Sequence, residues 1–192
     1  NTRTCPRPKN ARATAHPAGA PAAKAPQILA GKTVVLTGTG MGGYAATAFA
    51  TLVPGCTVLA FAPQSTLAPD LVPWETRFAE GQRQDWDGRY RDAAAHCAKA
   101  RAVYIVYDPY VAADKQHAAR YQGDHIIPLK SWYAPAAAHQ TDLHTTLIQA
   151  VVADTLTPAR FYKMYRTRRE MAWYCAGLTD HVTAKGPSKR AN

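Results

Sequence analysis

The chain has 192 residues, 47% of them hydrophobic, with a formal charge of +10 and a pI near 9.6. That is enough apolar material for one domain with its own core, which excludes a wholly disordered chain, and no apolar run approaches the ~18 residues that span a bilayer. The charge is unevenly spread, since the first acidic residue is Asp70, and such asymmetry reads either as a solvated, solubilising surface or as the footprint of an anionic partner, nucleic acid or an anionic membrane surface.

Residues 1–31 are rich in Pro, Ala, Lys and Arg. Pro6, Pro8, Pro17, Pro21 and Pro26 forbid a continuous helix there, so an extended basic arm is expected, with Arg3, Arg7, Lys9 and Arg12 as partner-binding cations. An acid-free basic composition is like that of organelle-targeting segments, without their long amphipathic helix, and an ordinary disordered tail is the alternative reading. The chain starts at Asn1 rather than Met, as after presequence removal, and the expected location is the mitochondrion. A domain over 32–176 and a basic tail over 177–192 complete the expected division.

From Thr33 the signals alternate. Thr33–Thr37 reads as a strand, Gly42–Leu52 as a helix and Cys56–Ala62 as a second strand. A polar stretch with Pro73, Trp74 and Trp86 leads to an expected helix over Asp87–Ala100, with Ala93, Ala94, Cys97 and Ala98 on or near one face. Arg101–Tyr107 is a third strand, Ala112–Gln122 a helix, and His125–Leu129 a short fourth strand whose Pro128 implies an edge. Asp142–Ala153 is helical, and Thr157–Pro158 reads as an N-cap and first-turn proline opening a helix to about Ala176, with Gly177 as its stop. Apolar strands separated by helices imply a parallel sheet covered on both faces.

The four cysteines, Cys5, Cys56, Cys97 and Cys175, are far apart, without a C-x-x-C pair, so no zinc or redox motif is expected. Cys56 and Cys97 read as small core fillers. His139 and His144 are five residues apart, a spacing that does not align them on a helix face, and no metal is expected there. No cofactor is expected either. The run Arg160 to Arg169 interleaves aromatics with Arg160, Lys163, Arg166, Arg168 and Arg169. It reads either as a phosphate-binding surface or as a helix with packed aromatics and solvated charges.

The segment Val34 to Ala50, VVLTGTGMGGYAATAFA, places a glycine cluster between a strand and a helix. Gly38, Gly40 and Gly43 satisfy G-x-G-x-x-G, the dinucleotide fingerprint, but no carboxylate follows the second strand before Asp70. The same layout is that of a nucleophile elbow, G-x-S-x-G, with Gly40 at the serine position. Further on come PQSTL (63–67), VPWE (72–75), VYDP (106–109), Asp114 with HAAR (117–120), TLTPARF (155–161) and Arg166 to Arg169. With the elbow, these resemble a bacterial family of small α/β-hydrolase-like proteins, over roughly residues 33 to 175.

The resemblance implies a partial α/β-hydrolase-like parallel sheet of about four strands, flanked by helices and followed by C-terminal helices. It maps the triad acid to Asp108, the nucleophile to Gly40 and, anchored on Pro135, the histidine to Trp132. Glycine offers no oxygen and indole accepts no proton, so triad chemistry fails. Ser65 and Ser131 read as surface or turn hydroxyls without a base. The strands before the elbow in such a fold are not evident upstream of Thr33, so the first strand is expected to expose an edge that a partner covers. The function expected is that of a pseudoenzyme, a structural subunit of a large organellar assembly: a respiratory or ATP-synthase complex, or a mitochondrial ribosome. Its partners would be other protein subunits, with RNA or anionic lipid at the basic tails and no transmembrane span. The competing expectation is a nonstandard serine hydrolase or a nucleotide-binding oxidoreductase using the turn at 38–43.

Overall fold

The computed structural model describes residues 29, 31–134 and 142–185. Four strands form one parallel sheet in the order β1-β2-β3-β4: β1 (Val35–Thr39), β2 (Thr57–Phe61), β3 (Ala102–Tyr107) and β4 (Ile126–Lys130). This is the fold class the alternation of apolar strands and helices predicts. The central pair carries the burial. All five residues of β2 and the last five of β3 are buried, whereas no residue of β1 is.

Side chains alternate across the pleat. Val58, Ala60, Val103, Ile105 and Tyr107 face one side. They meet Ala46 of α1 (Met41–Ala48), Ala50, Cys97 beside α3 (Ala93–His96), and Ala118 of α4 (Ala112–Arg120). The connections between consecutive strands therefore share one face. Leu59, Phe61, Tyr104, Val106 and Leu129 face the other. They are covered by Leu147 and Val151 of α5 (Asp142–Val152), Phe161 of α6 (Pro158–Met164) and Tyr165 of the 3-10 turn Tyr165–Glu170. Cys56 and Cys97 are free and buried in the first core, as expected of small fillers, and Cys175 is free and exposed. Cys5 lies outside the described residues.

Three expectations need correction. The helix read over 87–100 shrinks to α3, because the Asp92 carboxylate accepts the Ala94 N–H at 3.2 Å and starts the helix there. The preceding Trp86 and Tyr90 are drawn to Tyr44 instead, by an edge-on ring contact at 5.7 Å and a 2.5 Å hydrogen bond from the Tyr44 hydroxyl to the Tyr90 carbonyl. A one-turn helix that periodicity does not reveal, α2 (Ala79–Gln82), occupies part of the polar stretch. The helix opened by Thr157, whose Oγ1 accepts the Arg160 N–H at 3.1 Å, ends as a 3-10 turn, breaks at extended Met171 and resumes as α7 (Ala172–Lys185). Gly177 is thus no stop. It lies inside α7, where a Cβ would stand 2.6 Å from that of Tyr133, so its bareness lets the helix pack on the loop after β4. The boundary expected at 177 falls within this helix.

Among the described residues no helix is long and apolar enough to cross a membrane.

Candidate functional site

Gly40 follows β1 and caps α1 with φ 56° and ψ −120°, a conformation that L side chains adopt only under strain. The chain bends sharply here from strand to helix. Its tightness comes from the flanking glycines. A Cβ on Gly38 would lie 2.3 Å from the Gly42 carbonyl carbon, and one on Gly43 2.9 Å from the Pro63 Cβ. A Cβ on Gly40 would meet only the Gln64 amide, at 3.5 Å from Oε1 and 3.8 Å from Nε2. Space for a side chain is present, and the side chain is not.

Gln64 fills the stretch after β2 where a dinucleotide site would hold its ribose-binding acid. It is 4% exposed, and its Oε1 has no hydrogen-bond partner. The turn therefore has its glycines and lacks the acid.

The two other mapped triad positions lie at the same C-terminal edge of the sheet, after β3 and β4. Asp108 is buried and serves the chain around it: its carboxylate accepts the Tyr110 N–H at 2.9 Å. Burial pushes this carboxyl above the usual aspartate range, against the backbone N–H groups of Tyr110 and Tyr133. Trp132 is half-buried and packs toward Tyr162 and Tyr165, with ring centroids 5.8 and 6.4 Å away. The indole packs within the chain. His139 lies outside the described residues. His144 sets its ring edge-on to Phe61 at 4.5 Å, and among the described residues no cluster of three or more His, Cys, Asp or Glu is arranged to hold a metal.

Ser65 and Ser131 are not surface hydroxyls. Both are fully buried. Ser131 Oγ donates to the Tyr165 hydroxyl at 2.8 Å, which donates in turn to the Trp132 carbonyl at 3.1 Å. Ser65 is more consequential. Its Oγ lies 3.0 Å from His117 Nδ1, and His117 Nε2 lies 3.0 Å from Glu75 Oε2. Arg77 then grips both Glu75 oxygens and reaches Asp114 Oδ1 at 2.7 Å.

This is a serine, an imidazole and a carboxylate in line, a grouping the sequence reading missed. Ser65, Glu75 and His117 are polar letters inside three of the segments that carry the hydrolase resemblance, but their separation in sequence gives no sign that they meet. Its geometry is that of a clasp. The Ser65 backbone N–H donates to Nδ1 at 3.1 Å, so the lone pair a base would use is already occupied, and Nε2 carries the proton given to Glu75. Trp74 closes the imidazole edge-on at 4.6 Å. Ser65 is 0% exposed, and His117 and Glu75 1% each, so no substrate reaches the group. Burial pushes the Glu75 carboxyl up, but hydrogen bonds from the Arg77 side chain and backbone and from His117, with the Arg77 charge, outweigh it and hold it at about 2. Burial pushes His117 below its ordinary value, with Glu75 opposing.

The C-terminal cations divide in two. Arg160, Lys163, Arg166 and Arg169 are exposed, and none forms an ion pair among the described residues. Arg168 is half-buried. Its guanidinium carbon lies 5.1 Å from the Trp132 ring, 4.6 Å from Tyr165 and 5.2 Å from Tyr174, and Nη1 donates to the Tyr165 carbonyl at 2.7 Å. It holds the 3-10 turn against the loop after β4. The aromatics of this run pack inward and four of its five cations face water, as the packed-helix reading expects. Arg3, Arg7, Lys9 and Arg12 lie outside the described residues.

Comparisons with models of known protein families, with curated proteins and with solved structures each return no match.

Proposed function

We propose that this chain is a catalytically inactive hydrolase-like domain acting as a structural subunit of a larger assembly. The observation that carries the reading is Gly40. A positive-φ turn of the kind that presents a nucleophile stands here, with room for a Cβ and with none there. What surrounds it supports the same reading. Asp108 is spent on loop backbone, Trp132 on packing, and the hydroxyl–imidazole pair of Ser65 and His117 is closed to solvent. A serine-hydrolase reading would need that pair opened, and a dinucleotide reading would need an acid in place of Gln64.

The subunit half of the proposal draws on the open edge of β1 and on the exposed cations. The organellar setting draws only on the composition of residues 1–31. A fluorophosphonate probe tests the catalytic half: the native chain stays unlabelled, and Gly40→Ser hydrolyses no activated ester, because no imidazole serves the new hydroxyl. Labelling of the native chain at Ser65 or any other residue would refute inactivity. The native mass of the particle holding the chain, measured in source extract with and without nuclease, tests the other half. A free monomer of 20.8 kDa would refute the subunit reading.

A further inference from the structure

From the surface formed by α6, its 3-10 extension and α7, we infer a site for an anionic lipid bilayer, which the domain meets edge-on as a peripheral protein. Phe161 and Tyr165 point α6 inward, and Arg160 and Lys163 fall on the outer side. The helix then tightens to three residues per turn, a geometry in which i and i+3 eclipse, so Arg166 and Arg169 continue the same outer row. Four exposed cations thus line up over about 15 Å of axis, by the rise of the two helix types. The only acids from Pro158 to Lys185 are Glu170 and Asp180.

Two residues beyond Arg169 an apolar row begins. Met171, Leu178 and Val182 are 43%, 41% and 60% exposed, and Cys175 between them is exposed too. The spacing of three and four puts Cys175, Leu178 and Val182 along one side of α7, and Met171 stands just before its first residue. Trp173, Tyr174, Gly177 and His181 turn toward the domain. Exposed cations on one helix and large exposed aliphatic side chains on the next are the two kinds of group that a bilayer surface takes, at its phosphate headgroups and its acyl chains.

Nucleic acid would use the cations and leave the aliphatic row wet. It would also find no stacking platform here, because Trp132, Tyr165 and Tyr174 are engaged around Arg168. The inference goes beyond the subunit reading and is independent of it, since neither the elbow nor the β1 edge takes part.

Co-sedimentation of the full chain with vesicles tests it. The chain binds vesicles of equal phosphatidylcholine and phosphatidylglycerol, and not phosphatidylcholine alone, with affinity falling as salt rises. Reversing Arg160, Lys163, Arg166 and Arg169 to Glu lowers the partition coefficient roughly a hundredfold or more. Leu178→Ser with Val182→Ser weakens binding at high salt as well. Reversing Lys99 and Lys115, exposed cations outside this surface, leaves it nearly unchanged. Circular dichroism of each variant confirms the fold, and Arg→Gln versions replace any variant that fails. Equal binding to phosphatidylcholine alone, binding that survives reversal of the row, or no effect of the serine pair would each overturn the proposal. So would tighter binding of a homopolymer RNA than of the anionic vesicles, lost in the same charge-reversed variant.

Discussion

His117 takes its protonation state from its neighbours. The Ser65 N–H occupies the Nδ1 lone pair, and burial disfavours the charged ring more than the Glu75 carboxylate on Nε2 favours it. Its folded value therefore lies below the ordinary 6.5. Between the two values the unfolded chain binds more protons, so the clasp stabilises fully above pH 6.5 and loses that contribution as pH falls. Glu75, held at about 2 against an ordinary 4.5, has the same sign and adds a second loss between those values. Asp108, raised above 3.8, has the opposite sign: its contribution is present at low pH and lost as pH rises through its folded value. We predict a urea midpoint that is flat above pH 7 and falls in two stages on acidification. His117→Gln lowers stability at pH 7 by roughly 2–4 kcal/mol, by stranding part of a buried ionic network. It also weakens the first stage without erasing it, because burial depresses His144 too. An unchanged pH slope in His117→Gln would remove His117 from this account.

The elbow and the broken C-terminal helix each follow from a few contacts. At the elbow, Gly38 and Gly42 have different standing. A Cβ on Gly38 collides with backbone, whereas a Cβ on Gly42 meets nothing within 4 Å. Gly42→Ala should therefore stabilise by about 0.5 kcal/mol through helix propensity. Gly38→Ala should destabilise by about 2 kcal/mol or more through overpacking between β1 and α1. Thermal melts of the two variants check the pair, and equal effects would mean that the close approach of Gly38 to Gly42 is not what shapes the turn. In the C-terminal segment, Arg168 decides the course of the chain. By donating to the Tyr165 carbonyl and lying among three rings, it favours the 3-10 turn over a continued α-helix. The break at Met171 then swings α7 round so that Gly177 meets Tyr133.

Across the domain the sheet is protected unevenly. Both faces are covered, and at the β4 edge Pro128 lacks an N–H and Lys130 is exposed, two features that discourage further pairing. At the other edge β1 pairs only with β2 among the described residues, with Val35 and Leu36 half-buried and Thr37 exposed. An open edge of this kind accepts another strand. Amide exchange should show β1 opening fastest of the four strands in the isolated chain, and slowing markedly inside the native particle. Equal exchange of β1 in the two states would mean that nothing in the particle pairs with it.

Local pattern alone made the parallel sheet legible, because β2 and β3 are buried on both faces and must read as apolar runs, and because Pro128 marks an edge by lacking a donor. The Thr157 cap was legible for a similar reason: a hydroxyl followed by proline acts on its own first turn. Gly40 was noticed through its neighbours' letters, and its positive φ agrees with them. Contacts distant in sequence were not legible. Ser65 and His117 are 52 residues apart, and Ser131 and Tyr165 34, so nothing near either serine announced its burial. Gly177 looked like a stop until Tyr133 packed against it. Arg168 looked like its four basic neighbours until three rings from two segments closed around it. Periodicity records which side of an element avoids water; which polar group meets which across the fold is set only when the elements pack.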